Sequence, residues 1–253
     1  MEASARILSP QEERIQKGQH VAISLSDTRK RVSKMLKGFR DKPPKISIER
    51  AFYFTESFRR TEHLPLVLRW ATALEHIMKN ISIAIDDDDL IVGRCGPLGR
   101  YGVIYPELRA GWFSEGLKDL PSRKAASFII ADEDIRTVNE EIAPYWQGKT
   151  LHEAYYAALP EETRRIMYKS DGFSSTAIMQ DLNTLLSTMN WNLDYEKVLN
   201  LGFNGIKKQA EERLNSISPL DPYNNFDKVP FLKAVIIVCN AISGYAAIFM
   251  GGH

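Results

Sequence analysis

Apolar residues recur at helical spacing through most of the chain. After Ser47, the positions Ile48, Ala51, Phe52, Thr55 and Phe58 share one helical face. Ser47 is the expected N-cap, with Glu49 in the first turn, where the helix dipole favours a carboxylate. Val67, Trp70, Ala71, Leu74, Ile77 and Met78 repeat the pattern. This second helix is predicted to start near Pro65, since proline is tolerated in a first turn, and to be capped at its C-terminal end by Asn80. Ile81 to Ile85 and Leu90 to Val92 read as short extended pieces flanking an acidic turn.

Further along, Asp132 precedes a helix carrying Ile135, Val138 and Ile142. Thr150 and Glu153 have the spacing of a capping box, in which side chain and backbone satisfy each other's donors. Asp194 precedes a long helix bearing Val198, Leu201, Gly205 and Arg213, and Ser218 to Tyr223 is a turn-rich break. Ala234 to Met250 then carries no charged residue. That run is shorter than the roughly 20 apolar residues a membrane span needs and holds Asn240, Ser243 and Gly244, so it predicts a fully buried core helix. The pattern as a whole predicts a mainly α fold with a few short strands, without internal repeats.

Residues 1–43 are polar and charged. Leu25, Val32, Met35, Leu36 and Phe39 give a partial helical stripe, and Arg29, Lys30, Arg31, Lys34 and Lys37 fall on a solvated face rather than in a nucleic-acid-binding arm. Pro43 and Pro44 end this arm, because proline lacks an amide donor and biases its predecessor away from helix. The expected division is a polar arm over 1–43 and one domain over 44–253.

Composition excludes little more. Hydrophobic content of 44% and charged content of 26% are ordinary for a globular protein. A formal net charge of +1 gives no electrostatic argument for nucleic acid or an anionic membrane. The two cysteines, Cys95 and Cys239, form no disulfide framework and suit a reducing cytoplasm. The N-terminus has acidic residues where an export signal needs a long apolar stretch, so export is not expected.

Candidate chemistry is sparse. Asp86 to Asp89 offers hard-cation ligands but not the alternation, central glycine and final glutamate of an EF-hand, so a solvated turn is expected. The five histidines form no HExxH pair, and no Gly-x-Ser-x-Gly elbow is present. Gly93 to Arg100 lacks the Gly-Lys-Ser/Thr ending of a phosphate loop. No metal site and no catalytic residue is expected within the chain.

An ordered set of short pieces carries more information: Ile46-Ser47-Ile48-Glu49-Arg50-Ala51, Phe54-Thr55-Glu56-Ser57, Leu90-Ile91-Val92-Gly93-Arg94, Tyr105-Pro106-Glu107, the run from Glu141 to Thr150, and Asp194 to Leu199. Their order and spacing resemble the N-terminal region of glycyl radical enzymes, the pyruvate formate-lyase superfamily. Asp27 to Pro44 and Ile46 to Glu107 look closest to the C–S, C–N and C–O lyases, isethionate sulfite-lyases above all. Choline trimethylamine-lyases and diol dehydratases come next.

The resemblance implies the mainly helical N-terminal portion of a pyruvate formate-lyase-like α/β barrel. In intact relatives an iron–sulfur, S-adenosylmethionine-dependent activase makes a backbone glycyl radical. The radical oxidises a cysteine in a Cys-x-Glu loop, whose thiyl abstracts hydrogen from a small substrate. The family is anaerobic and cytoplasmic or housed in bacterial microcompartments, and homodimeric when intact. Neither Cys95 nor Cys239 is followed by glutamate two residues later, and Ser243-Gly244-Tyr245 lacks the Arg-Val that precedes the radical glycine, so the chain is expected to be a fragment, inactive alone. By the resemblance, substrate contacts are expected at Arg165, Gln180, Asn190 and Trp191. Asn190-Trp191 stands where many relatives have Gly-His. A non-catalytic helical scaffold and a pyruvate formate-lyase-like acyltransferase are the competing expectations.

Overall fold

The computed structural model describes residues 25–41, 43–85, 101–108, 116–124, 127–167, 194–218 and 220–251. The chain divides into two compact units, Met1–Lys42 and Pro43–His253. The described part of the first is one helix, α1 (Leu25–Asp41), on which Val32, Met35 and Leu36 are exposed.

The second unit opens with β1 (Lys45–Ser47), which pairs in parallel with β2 (Tyr101–Val103) in the register Lys45 to Tyr101, Ile46 to Gly102 and Ser47 to Val103. Lys45 also bridges Ile129, and the Ile46 amide donates to the Ile129 carbonyl at 2.8 Å. A side chain on Gly102 would press on Ile46 and Phe128, its Cβ lying 3.0 Å from Ile46 Cδ1. Glycine is thus what lets the strand lie under those two residues.

Helix α2 (Glu49–Arg60) follows at once. Its N-cap is Ile48 rather than the expected Ser47, because strand pairing carries the extended backbone through Ser47 and delays the first helical turn. Ser47 still helps, its Oγ accepting from the Glu49 amide at 3.4 Å. Helix α3 (Leu66–Asn80) starts behind Pro65, as expected. The Asn80 side chain donates to the His76 carbonyl at 2.7 Å, satisfying one of the free acceptors of the last turn. The buried arc of α3 includes Ala73, outside the predicted stripe, since α3 packs against α2 on one side and the final helix on another. Trp70 stays 40% exposed, with its ring edge-on to Phe54 and Phe58. Ile81 continues in an extended conformation, but residues 82–85 join no strand; Leu90 to Val92 lie outside the described residues.

Helix α4 (Asp132–Thr137) runs into a π-helical stretch, Val138–Ile142, and then α5 (Ala143–Trp146). Asp132 is the first helical residue; the N-cap is Ala131. Pro144 accounts for the wider turn: it has no N–H for the Glu140 carbonyl, and its ring crowds that carbonyl, which favours the longer i to i+5 spacing. Helices α6 (Leu151–Ala158) and α7 (Glu161–Met167) follow. The predicted capping box at α6 is present: Thr150 Oγ1 accepts from the Glu153 amide at 3.2 Å, and Glu153 accepts from the Thr150 amide at 3.0 Å.

Ala51, Phe54, Phe58, Ala73, Ile77, Ile104, Leu120, Val138, Ile142 and Trp146 form one core, so α2, α3, the β2 turn and the π segment share a single apolar interior. Helix α8 (Tyr195–Asn215) is capped by Asp194, as expected, and breaks at Gly202. Helix α9 (Pro222–Gly251) packs against α3 and α8. The expectation of a fully buried helix over Ala234 to Met250 is overturned: only Ala234, Cys239 and Ala241 are buried there, and the other positions are half-buried or exposed, because α3 and α8 cover the helix only in part.

Candidate functional site

Four of the six family-like pieces of sequence, those holding Arg50, Thr55, Glu107 and Trp146, supply a knot of linked polar contacts. Arg50 lies in the first turn of α2, and Glu107 sits in the turn after β2. Arg50 Nη2 donates to Glu107 Oε1 at 2.5 Å and Nη1 to Oε2 at 3.1 Å, a paired contact that matches the guanidinium fork to the carboxylate plane. Nη1 also reaches the Ile104 carbonyl at 3.3 Å, and the guanidinium lies 4.0 Å from the centre of the Tyr105 ring. The Glu107 carbonyl accepts from the Leu151 amide at 2.8 Å, which ties the same turn to the start of α6. Trp146 Nε1 donates to Thr55 Oγ1 at 2.8 Å, and that hydroxyl donates to the Ala51 carbonyl at 2.7 Å. Every one of these groups is spent on another protein group. The knot therefore holds α2, the β2 turn, α5 and α6 in register.

Two networks flank it. On α2 and α3, Glu56 accepts from His76 Nε2 at 2.7 Å and also pairs with Arg60. The His76 hydrogen bond, against some burial and with help from Arg60, holds the Glu56 carboxyl below its ordinary range. At the outer edge, Arg69 donates to the Tyr145 hydroxyl at 3.0 Å, and Lys149 pairs with Glu62 at 3.0 Å while lying 4.0 Å from the Tyr145 ring centre. Burial and the bond to Glu62 push the Tyr145 phenol up, so it stays protonated. Cys239 is also buried, which raises its thiol pKa against the pull of Lys207, the opposite of what an activated thiolate requires. Among the described residues no group of three or more His, Cys, Asp or Glu is placed to hold a metal ion.

Of the expected substrate contacts, Arg165 is exposed on α7. Gln180, Asn190 and Trp191 lie outside the described residues, as do Cys95, Asp86 to Asp89 and Gly93 to Arg100. Gly244 is a residue within helix α9. Sequence reading had Arg50 and Glu107 in separate family pieces without joining them. The available signal was an arginine and a glutamate each set among aromatic and apolar residues, where an unpaired charge would be costly.

Comparison with known proteins agrees with this arrangement of pieces. Residues 25–250 match the family model described as "Pyruvate formate lyase-like". The chain is 46% identical over 236 residues to isethionate sulfite-lyase of Desulfovibrio desulfuricans, covering 92% of this chain and 28% of that protein. It is 28% identical over 219 residues to (2S)-3-sulfopropanediol dehydratase of Klebsiella oxytoca, covering 86% and 26%. The structure is similar to the glycerol-bound B12-independent glycerol dehydratase of Clostridium butyricum, with a TM-score of 0.73 and 34% identity over 85% of this chain and 26% of that one. The chain thus spans about a quarter of the length of the proteins it matches. The mainly helical fold is that of the N-terminal portion of this barrel family. By the match of residues 25–250 and the shared fold, the chain belongs to the pyruvate formate-lyase-like family of glycyl radical enzymes.

Proposed function

We propose that this chain is the N-terminal helical part of a glycyl radical lyase that cleaves the C–S bond of isethionate or a closely related small sulfonate. The observation that carries the substrate class is the 46% identity to isethionate sulfite-lyase, against 28% to the sulfopropanediol dehydratase. In the intact enzyme, a glycyl radical supplies the one-electron chemistry through a cysteine thiyl. The residues of this chain do not fit that group: Cys239 is buried with a raised pKa and has Ala241, not glutamate, two residues on, and Gly244 is part of a continuous helix. No step of the radical reaction is therefore assigned to them.

What this chain contributes is shape and charge. The Arg50–Glu107 knot sets the angle between α2 and the β2 turn, and Arg165, Gln180, Asn190 and Trp191 are the proposed substrate contacts. An arginine at such a place grips a sulfonate through paired, charge-assisted hydrogen bonds. The reading includes a radical S-adenosylmethionine activase with an iron–sulfur cluster as partner, a homodimeric whole enzyme, anaerobic operation in the cytoplasm or a microcompartment, and an arm over 1–43 ahead of the domain over 44–253. A non-catalytic helical scaffold is the second reading, favoured by the absence of glutamate two residues after either cysteine.

The test is an anaerobic assay of this chain fused to the part of the Desulfovibrio enzyme that it leaves unmatched, with activase and S-adenosylmethionine. Sulfite release from isethionate, weakened by Arg165→Met through a higher KM, is the expected result. A folded fusion that carries the glycyl radical signal but releases no sulfite would sink the isethionate assignment. A fusion that never acquires the radical would favour the scaffold.

A further inference from the structure

The C-terminal end of α3 is held to α2 by two carboxylates. Glu49, in the first turn of α2, accepts from the Ser82 amide at 2.7 Å and from the Ser82 hydroxyl at 2.8 Å. Further along α2, Glu56 accepts from His76 Nε2 at 2.7 Å, while its other oxygen pairs with Arg60. His76 has a second partner within its own helix. Its Nδ1 lies 3.2 Å from Asn80 Nδ2, and the same Asn80 nitrogen lies 2.7 Å from the His76 carbonyl.

Together these contacts fix proton positions that a histidine otherwise leaves open. A backbone carbonyl can only accept, so the Asn80 atom that meets it is the amide nitrogen, whose second hydrogen faces His76 Nδ1. Nδ1 is then the bare, accepting nitrogen of the ring, and Nε2 carries the proton donated to Glu56. A proton added to Nδ1 would set two donors against each other, and Asn80 would have to swing away. The two neighbours thus pull in opposite senses: Glu56 favours the charged ring and Asn80 the neutral one. The Glu56 carboxyl, held low first by its bond to His76 and helped by Arg60 against some burial, stays ionised through the range in which imidazoles titrate.

The other groups around the ring do not repeat either contact. Tyr53 of α2 stands edge-on to it at 5.7 Å, and Glu75 and Lys79 of α3 pair with each other at 2.8 Å. Helix α9, also packed on α3, brings Tyr223, Asp227, Lys228 and Lys233 ahead of Ala234, and Cys239 and Tyr245 beyond it.

We propose that His76 is a pH-sensitive switch at the end of α3. Neutral, it holds Asn80 against the last turn. Protonated at Nδ1, it releases Asn80 and clamps α3 to α2 through a charged pair with Glu56. The switch trades order at the helix end for grip between the two helices, just ahead of the Ser82 anchor. It goes beyond the lyase reading and does not depend on it.

The experiment is nitrogen-resolved NMR of the imidazole rings in the full 253-residue chain between about pH 8 and pH 5, with amide exchange followed in parallel. Loss of signal in His76→Gln identifies the ring. The expected result is a ring protonated on Nε2 and bare on Nδ1 at the upper end. As Nδ1 gains its proton, exchange of the Asn80 and Ile81 amides, corrected for its intrinsic pH dependence, should quicken about threefold. Asn80→Ala, at an exposed position, should abolish that response and leave the slow amides around Phe54 unchanged. A ring already protonated on Nδ1 at the upper end would overturn the proposal. So would protonation without any response at the end of α3, or a response that survives Asn80→Ala.

Discussion

Arg50 and Glu107, 57 positions apart, form a paired ion contact whose side chains are only 15% and 3% exposed. A buried pair of this kind is not in itself a large source of stability, because both charges lost their water to form it. Its consequence is specificity: breaking it strands a charge in an apolar place. Here the stranded charge would sit between helix α2 and the turn that anchors α6.

Removing one partner of this pair should therefore cost far more than removing both. Glu107→Ala is expected to destabilise the chain by about 3–5 kcal/mol, and Arg50→Met combined with Glu107→Leu by clearly less than the sum of the single changes. Urea unfolding followed by tryptophan fluorescence checks this. Additive losses would mean that the two side chains do not act as a pair.

The Trp146–Thr55 bond makes a second, smaller prediction. Thr55→Val keeps the shape but leaves the indole N–H of a buried ring without its acceptor. The expected loss is about 1–3 kcal/mol. The companion change Trp146→Phe removes the donor as well, but also ring volume from the stack with Phe54, so it should cost more than Thr55→Val. Thermal unfolding of the two variants distinguishes them.

The capping box at α6 carries a pH dependence. Burial alone would push the Glu153 carboxyl up, but bonds from the Thr150 hydroxyl and from the Gly148 and Thr150 amides outweigh it and hold the pKa below the ordinary value. A carboxyl lowered on folding stabilises the fold above its ordinary pKa, and that contribution fades as pH falls through the folded value. Glu153→Gln should thus be destabilising at about pH 7 and nearly neutral at about pH 3. Thr150→Ala should cost about 1 kcal/mol at neutral pH. A Glu153→Gln penalty that grows toward acid would contradict the capping geometry.

Two glycines should respond oppositely to alanine. Gly202 breaks α8 with φ 62° and ψ 172°, a region almost closed to other residues, so Gly202→Ala should cost about 1–3 kcal/mol although nothing lies within 4 Å of the added methyl. Gly244 is helical and equally uncrowded, so Gly244→Ala should stabilise α9 by roughly 0.5–1 kcal/mol. The same helical setting predicts no oxygen-dependent cleavage at Gly244 after exposure to activase. Circular dichroism melts and intact-mass measurement test the two halves.

Features that depend on neighbours a few residues apart were legible before the structure. The Thr150–Glu153 box, the Asp194 cap, the start of α3 at Pro65 and the turn before α9 all follow from hydrogen-bond and dihedral preferences that act within one helical turn. The family pieces were legible too, because their order along the chain is itself a one-dimensional property. Among the four expected substrate-binding residues only Arg165 has a described position, exposed on α7, so the sequence remains the basis for the other three.

Tertiary structure alone decided the rest. Ser47 reads as a cap until a strand 54 or more residues away claims its backbone, and nothing near Ser47 announces Val103 as its partner. Nothing in the sequence joins Arg50 to Glu107 until the fold brings them together and removes both from water. An apolar run such as Ala234 to Met250 states that it must be covered but not by what, since the hydrophobic effect has no direction. Only the packing of α9 against α3 and α8 showed that Ala234, Cys239 and Ala241 are buried there while Phe231, Ile248 and Met250 stay exposed.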